Sequence, residues 1–540
     1  MPISRPPISL NSGGAASSNA TVSLTPQIKV VAYPWNVRAL TETTIGEAKL
    51  AETTPLDISS QVMSFTYSKN LGNPSGTFSL TLANSPNYGS GDWKDILKPG
   101  TWISVFLTQD GDLTTTQQIA APIAKSSRIE EGKKRRLLGV VDRIAANATI
   151  ADNDAFDLTF EVSGRDFGIT YEETTIWHNM FTFESIMLQS LATSKLNVVG
   201  ITKIHTAIEL IHNLFFNPKA VAGAKVNDKK SLLSIALQWI MPSQLMADLG
   251  ITDPSKAYWG ELEGLLDLAP TIAGISISQP SDYLSGNAWD ALKRLSCPPL
   301  HELFTEMDDD GMPHLYFRPI PWSLNSAKYP SAATTVLKYL DLPTVEVFGE
   351  EVLGFHVGED NHSLYNSFLL TAATSTININ DNISPLLGKG FPKHIQDSVR
   401  RYGFRPMHVT IDSLVRNEGK NNGEANNKLL TEYNELMVDY WKIGQFSESG
   451  ELNILGRNDV RIGKAVRFDA SVPYLANKQF YIESYTDSFV VDQGTGACDW
   501  TQSLLLSRGF ELSDLEDQAK FEERAELFQQ EGEFTPYNKR

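Results

Sequence analysis

Residues 156–168 read FDLTFEVSGRDFG, and they alternate strictly: Phe156, Leu158, Phe160 and Val162 stand against Asp157, Thr159, Glu161 and Ser163. A period of two marks a half-buried antiparallel strand, one face on a core and the other toward water. Far along the chain, WTQSLLLSRGF (500–510) repeats the pattern, with Trp500, Gln502, Leu504 and Leu506 against Thr501, Ser503, Leu505 and Ser507. The two stretches also end alike, on Ser163-Gly164-Arg165-Asp166-Phe167 and on Ser507-Arg508-Gly509-Phe510.

The neighbourhoods of the two strands match in grammar. Before the first come GTFSLTLANS, with Phe78, Leu80 and Leu82 on one face, and LKPGTWISVFLTQDG, where Pro99-Gly100 marks a turn and Ile103, Val105 and Leu107 share a face. LLGVVDRIAANATIADND then leads through a polar turn into the Phe156 strand. Before the second come GRNDVRIGKAVRFD, with Val466 and Phe468 inward, and KQFYIESYTDSFVVDQGTGACDW with its Gly-rich turn. Few letters align, so the repetition lies in the order of elements: either two antiparallel meanders alike by chance or, as the shared Ser, Gly and Arg beside a Phe favour, a duplicated β-domain.

Between them the period changes. FTFESIMLQSLAT, HTAIELIHNLFFN and KKSLLSIALQWIMPSQLM have helical spacing, as with Ile208, Ile211 and Phe215, and predict a helical insertion from about Phe183 to Asp248. In SGNAWDALKRLSCPPLHELFTEMDDDGMPHLYFRPIPW, Asn287 caps a short helix carrying Trp289, Leu292 and Leu295, stopped by Pro298-Pro299. Strands near Leu303 and Leu315 then pair across Asp308-Asp309-Asp310-Gly311. The acidic stretch from Glu511 onward reads as a helix with Phe521, Ala525 and Phe528 on one side.

The 540 residues favour three or four domains, and 41% hydrophobic with 20% charged residues describes an ordinary globular protein. No apolar run reaches the eighteen or so residues that span a bilayer. The first thirty residues, rich in Ser, Pro, Gly and Ala, lack the apolar core of a signal peptide and read as a mobile arm. Cys297 and Cys498 stand far apart without a C-x-x-C partner, which argues against a disulfide framework or thiolate zinc site and fits a reducing assembly compartment. A net charge of −18 opposes a broad grip on a nucleic-acid backbone. The one basic run, Lys133-Lys134-Arg135-Arg136, reads as a solvated loop flanking a strand.

Motifs for chemistry fail on spacing. Glu306, Asp308, Asp310 and Gly311 match the start of a calcium loop, but the twelfth position falls on Phe317, which has no oxygen to offer. His301-Glu302 opens like a zinc-protease helix, yet Thr305 stands where the second imidazole belongs, and His205 and His212 are too widely spaced on their predicted helix to share an ion. GKGFPKH at Gly388 lacks the phosphate-loop spacing, and there is no G-x-S-x-G elbow. Carboxylates are plentiful enough for glycoside hydrolysis, but no compact extra domain is present to house a pair. No catalytic, cofactor-binding or metal residue is therefore assigned, and the chain is expected to be no enzyme.

LLGVVDRI with FEVSGRDFG, then NAWDALKRLSCPPLHELFTEMDDDGMPHLYFRPIPW, HSLYNSFLL, SVRRYGFRP and YIESYTDSFVVDQGTGACDWTQSLLLSRG resemble, in the same order, the baseplate hub proteins of tailed bacteriophages. The resemblance runs from about Leu56 to Gly509 and includes the Phe317-Arg318-Pro319 strand and the Tyr402-Gly403 step. It implies a β-rich, multidomain α+β fold in which two tail-tube-like antiparallel β-barrel or sandwich domains carry a helical insertion and a small α+β domain.

The expected division is a flexible arm 1–27, a first tube-like domain 28–172 and a mainly helical insertion 173–285, then a helix-plus-hairpin α+β region 286–345. A second tube-like domain 346–510 with its own helical insertion and an acidic C-terminal helix 511–540 complete it. The resemblance further implies a virion structural protein of the tail baseplate, assembled in the host cytoplasm. Such a homotrimer, without cofactor or membrane, acts as a symmetry adaptor joining the hexameric tail tube to a trimeric central spike. Its implied partners are tube, spike, baseplate wedge and tape measure proteins, and the genome passes its channel at ejection without specific binding. Negative groups are expected to line that channel. Some hubs carry a fused cell-wall hydrolase; no such module is recognisable here. A hub with embedded peptidoglycan-cleaving activity and a receptor-binding tail protein are the two alternative readings.

Overall fold

The computed structural model describes residues 26–34, 55–83, 93–109, 134–150, 156–173, 286–295, 301–321, 339–359, 364–372, 393–411, 447–492 and 494–513, with a few isolated positions between them. Its centre is a 13-stranded sheet. The early strands are β1 (Gln27–Tyr33), β2 (Leu56–Asp57), β3 (Val62–Asn70), β4 (Thr77–Ala83), β5 (Trp102–Thr108), β6 (Arg135–Ile150) and β7 (Phe156–Asp166). Side by side they run β3-β4-β7-β6-β5-β1-β2. The alternation seen in the sequence becomes burial: Phe78, Leu80, Leu82, Phe160 and Val162 face the core, as do Ile103, Val105 and Leu107.

Two-residue pairs follow, β8 (Thr175–Ile176) with β11 (Gly286–Asn287) and β9 (His205–Thr206) with β10 (Ser276–Ile277). His205, read from spacing as helical, thus lies on a strand opposite Ile277; cross-strand pairing overrides a helical period whose marker residues begin only at Ile208. Within the 183–248 helical reading the described Leu245 and Asp248 are helical, with the Leu249 N–H donating to Leu245 O at 2.9 Å; nearly all the rest of that stretch, His212, Gly388, most of the arm 1–27 and the C-terminal helix beyond Leu512 and Ser513 lie outside the described residues. The helix Ala288–Leu295 forms as expected, with Asn287 Oδ1 accepting the Asp290 N–H at 2.7 Å. The hairpin of β12 (His301–Met307) and β13 (Pro313–Pro319) pairs Leu303 with Phe317 and Thr305 with Leu315.

The late strands are β14 (Thr344–Val347), β15 (Val352–Glu359), β19 (Glu448–Leu455), β20 (Ala465–Phe468), β21 (Lys478–Val491) and β22 (Cys498–Glu511). Their order in the sheet, β15-β19-β22-β21-β20-β14, repeats the early order from β3 to β5 strand for strand. The irregularities repeat too. The β3/β4 ladder slips between Val62 and Ser64 and the β15/β19 ladder between Val352 and Gly354; β6/β7 slips between Val141 and Arg143, and β21/β22 between Ile482 and Ser484. Each set enters its first long strand from a single 3-10 turn, Ser59–Gln61 and Gly349–Glu351. Gly100 and Gly463 hold the same place in the two sets, with φ of 88° and 79° and N–H groups donating to Val141 and Ile482.

This register corrects one detail of the sequence comparison. Gly164 pairs with Val141 and Leu506 with Ile482, so Arg165 and Ser507 are equivalent, while Ser163 corresponds to Leu505. The shared Ser-Gly-Arg letters are offset by two positions; the topology is what repeats. The sets also differ at one end. In the first, β1 is inserted antiparallel between β2 and β5; in the second, β14 lies directly beside β20 and parallel to it.

Between β15 and β19 the chain leaves the sheet to build a second, three-stranded one from β16 (Ser367–Ala372), β17 (Lys393–His394) and β18 (Pro406–Ile411), beside the helix Gln396–Tyr402. Asn366 ties two of the family-like motifs together there: its amide donates to Gly403 O at 2.9 Å and accepts the Arg405 N–H at 2.8 Å.

Candidate functional site

The two strand sets meet at a seam where β3 runs antiparallel to β21, from Ser484 opposite Asn70 to Val490 opposite Ser64. The edge of β21 is divided: its start pairs with β20 of its own set, its end with β3 of the other. One apolar cluster runs beneath both sets, joining Phe65, Tyr67, Phe78 and Val105 to Leu452, Val466, Tyr485, Phe489 and Trp500. Burying such side chains away from water contributes about 1.5–3 kcal/mol each relative to exposure, so the seam is sealed by a core rather than by backbone hydrogen bonds alone.

Buried charges cross-link this core. Arg136 Nη2 lies 2.8 Å from Asp487 Oδ2, both side chains fully buried. Asp487 also accepts from Trp500 Nε1 at 3.0 Å and Gln502 Nε2 at 2.7 Å, while Arg136 donates to Val460 O at 2.7 Å and covers the Tyr485 ring. Burial alone would lower the Arg136 pKa; the Asp487 carboxylate, with Tyr485 and Glu306, reverses this and holds it above the ordinary arginine value. The basic run therefore departs from its solvated reading, because Arg135 and Arg136 enter β6 with buried side chains and find partners far away in sequence. Every guanidinium nitrogen of Arg136 has an acceptor, which offsets the cost of its burial.

The β12/β13 hairpin sits across the seam and touches both sets. Thr305 Oγ1 accepts from Lys69 Nζ at 2.8 Å, and Lys69 in turn pairs with Asp166, which also accepts the Tyr67 hydroxyl at 2.8 Å. On the other side Glu302 accepts the Tyr481 hydroxyl at 2.7 Å and pairs with Arg318 and Arg508. Burial and then the Asp166 charge raise the Tyr67 pKa, and burial and then Glu302 raise that of Tyr481, so both phenols stay neutral donors.

Two carboxylates of the calcium-like turn, Asp308 and Glu306, are engaged by other groups. Asp308 accepts the backbone N–H groups of Asp310 at 2.9 Å and Met312 at 2.7 Å and meets His314 Nε2 at 2.8 Å, closing the turn. Glu306 is buried in the core, accepting from the Tyr485 hydroxyl and from the N–H of Ile462. Glu302 stands on a strand, not on a helix. Among the described residues no group of three or more His, Cys, Asp or Glu is placed to hold a metal ion.

The opposite face of the sheet is polar, rich in hydroxyls and dotted with charges of both signs. One row crosses both sets as Thr501, Ser488, Thr66, Ser79, Ser163 and Arg143. A second reads Asn453, Ser503, Thr486, Ser68, Thr77 and Arg165. Thr486 and Ser68 join hydroxyls across the seam at 3.1 Å. Glu161 and Glu451 add negative charge to this face. The two rows thus hold hydroxyls and an amide, each with an arginine at one end. The alternation in the sequence made this face legible as polar; its continuity across the seam had no signal in either strand alone.

No family model matches the chain, and no curated protein does. Among solved structures, the chain is similar to the prophage MuSo2 43 kDa tail protein from Shewanella oneidensis at 12% identity, with a TM-score of 0.41 over 90% of this chain and 98% of that one. It is likewise similar to the tail protein from Neisseria meningitidis at 9% identity, TM-score 0.38, over 89% and 96% of the two chains. A chain in the half-lidded Francisella PdpA-VgrG complex matches at 9% identity and TM-score 0.33, over 90% of this chain and 58% of that one.

Proposed function

We propose that this chain is the structural hub of a phage tail baseplate, a homotrimeric adaptor between a six-fold tail tube and a three-fold central spike. The observation that carries the reading is the strand order written twice in one sheet, with matching bulges and matching positive-φ glycines. Three such chains supply six near-equivalent strand sets, which is how a three-fold object meets a six-fold one through a closed cyclic assembly. In this reading the stretches 28–172 and 346–510 are the two tube-like domains, and 286–345 is the clamp laid across them. Segments 1–27, 173–285 and 511–540 are left to contact wedge, spike or tape measure proteins.

The polar sheet face is its channel wall. Its hydroxyls and amide are neutral, Arg165 is paired with Asp142, Glu172 and Glu173, and Glu161 and Glu451 oppose phosphate, so little counterion release is on offer and DNA slides without being held. The role is geometric, without turnover. Light scattering on the purified protein tests it: a mass near three chains is expected, and a mass of one chain that persists when tube and spike proteins are added overturns it.

A further inference from the structure

The repeated strand order leaves two edges whose equivalents are already paired. In the seam, the end of β21 receives β3. The strand equivalent to β21 is β6, and the strand equivalent to β3 is β15. Among the described residues no strand pairs with β6 on that edge beyond Val141, and none pairs with β15 on the side away from β19. Among the described residues one copy of this joint is thus made and both halves of a second copy are open, at opposite ends.

Burial marks the same two edges. Phe65 on β3 is 0% exposed and its counterpart Phe355 on β15 is 39% exposed, beside Leu353 at 55%. Tyr485 and Phe489 are buried where β21 meets β3, while the matching stretch of β6, Ile144 to Ala148, is half-buried to exposed. An open strand edge with exposed apolar side chains is a template for pairing with another chain.

We infer that β15 of one copy of this protein pairs antiparallel with the outer half of β6 in the next, reproducing between chains the seam made within each. Taking Val141 with Ile482 and Val62 with Val352 as anchors, the pairing of Tyr485 with Lys69 through Val490 with Ser64 fixes the register. Ile144 falls opposite Glu359, Ala145 opposite Gly358, Ala146 opposite Val357, Asn147 opposite His356, Ala148 opposite Phe355 and Thr149 opposite Gly354. The contact is head to tail, so it closes a ring or grows a fibre according to the rotation per copy; closure at three copies rests on the hub reading.

The test is a disulfide. Asn147→Cys and His356→Cys are combined in a chain whose own cysteines are removed by Cys297→Ser and Cys498→Ser. Both positions are exposed, and directly paired antiparallel residues have Cα atoms about 4.5–5.5 Å apart, inside the disulfide range. Mild oxidation is expected to give covalent dimers and trimers from the double variant and none from either single variant. A native mass near three chains with no covalent product overturns this edge pairing and leaves the trimer standing. A ladder continuing past three supports the pairing and overturns the closed trimer, and a native mass of one chain that persists when tube and spike proteins are added overturns both. Phe355→Lys provides an independent arm: the native mass falls to one chain if β15 is the joint, and an unchanged mass overturns the inference.

Discussion

Phe65 and Phe355 occupy the same position in the two strand sets, one sealed beneath the seam and the other on an open edge. Phe65→Ala removes a fully buried ring and is expected to cost about 3–5 kcal/mol. Phe355→Ala is expected to cost under about 1 kcal/mol in a single chain. Urea titration of the two variants under conditions where the chain is monomeric measures the difference.

Asp487 is the acceptor that three buried donors share. Asp487→Ala strands the Arg136 guanidinium, the Trp500 indole N–H and the Gln502 amide, and is expected to lower stability by about 3–5 kcal/mol. Arg136→Met leaves Asp487 with two neutral donors and is expected to cost less than the alanine change. Chemical denaturation of both variants checks the order.

Gly100 and Gly463 share a backbone conformation but not a space. A Cβ at Gly100 meets nothing within 4 Å, whereas at Gly463 it lies 2.6 Å from Phe304 Cζ and 2.8 Å from Arg318 Nη2. Gly100→Ala is expected to cost about 1 kcal/mol of left-handed strain. Gly463→Ala adds a clash with the hairpin and is expected to exceed that severalfold. Thermal midpoints of the two variants measure the gap.

Two carboxylates give the fold an acid dependence. Burial would raise the Asp308 pKa, but the His314 hydrogen bond and the Met312 and Asp310 N–H groups outweigh it and lower the value. At Asp459, burial is likewise outweighed by Arg457, whose Nη2 lies 2.6 Å away. A carboxyl lowered in the folded state contributes stability that is present above its unfolded pKa of about 3.9 and is lost as pH falls through the folded value. Asp308→Asn and Asp459→Asn are expected to flatten the fall of stability below about pH 4, read as urea midpoints across an acid series.

Much of the sheet was legible because alternation survives translation into burial: Phe78, Leu80 and Leu82, or Trp500, Leu504 and Leu506, needed no partner to be placed. The seam was not, because the pairing of β3 with β21 joins residues hundreds of positions apart and neither strand's pattern names its neighbour. Arg136 misled for a related reason. A basic run before a strand looks solvated until Asp487, 351 residues away, supplies its partner. The hairpin was foreseen from Leu303 and Leu315, yet its role across both sets rests on Glu302, Thr305 and Arg318, whose residue types alone suggest a surface.

The β3–β21 seam also changes the thermodynamics of assembly. Two strand sets on separate polypeptides would have to find one another at the cost of translational and rotational freedom, about 4–15 kcal/mol per encounter. Held on one polypeptide, they meet at an effective concentration fixed by the intervening chain. In any ring built from such chains, every second joint is therefore formed during folding and is independent of protein concentration. Assembly is left with half as many encounters to complete, and dilution acts only on those.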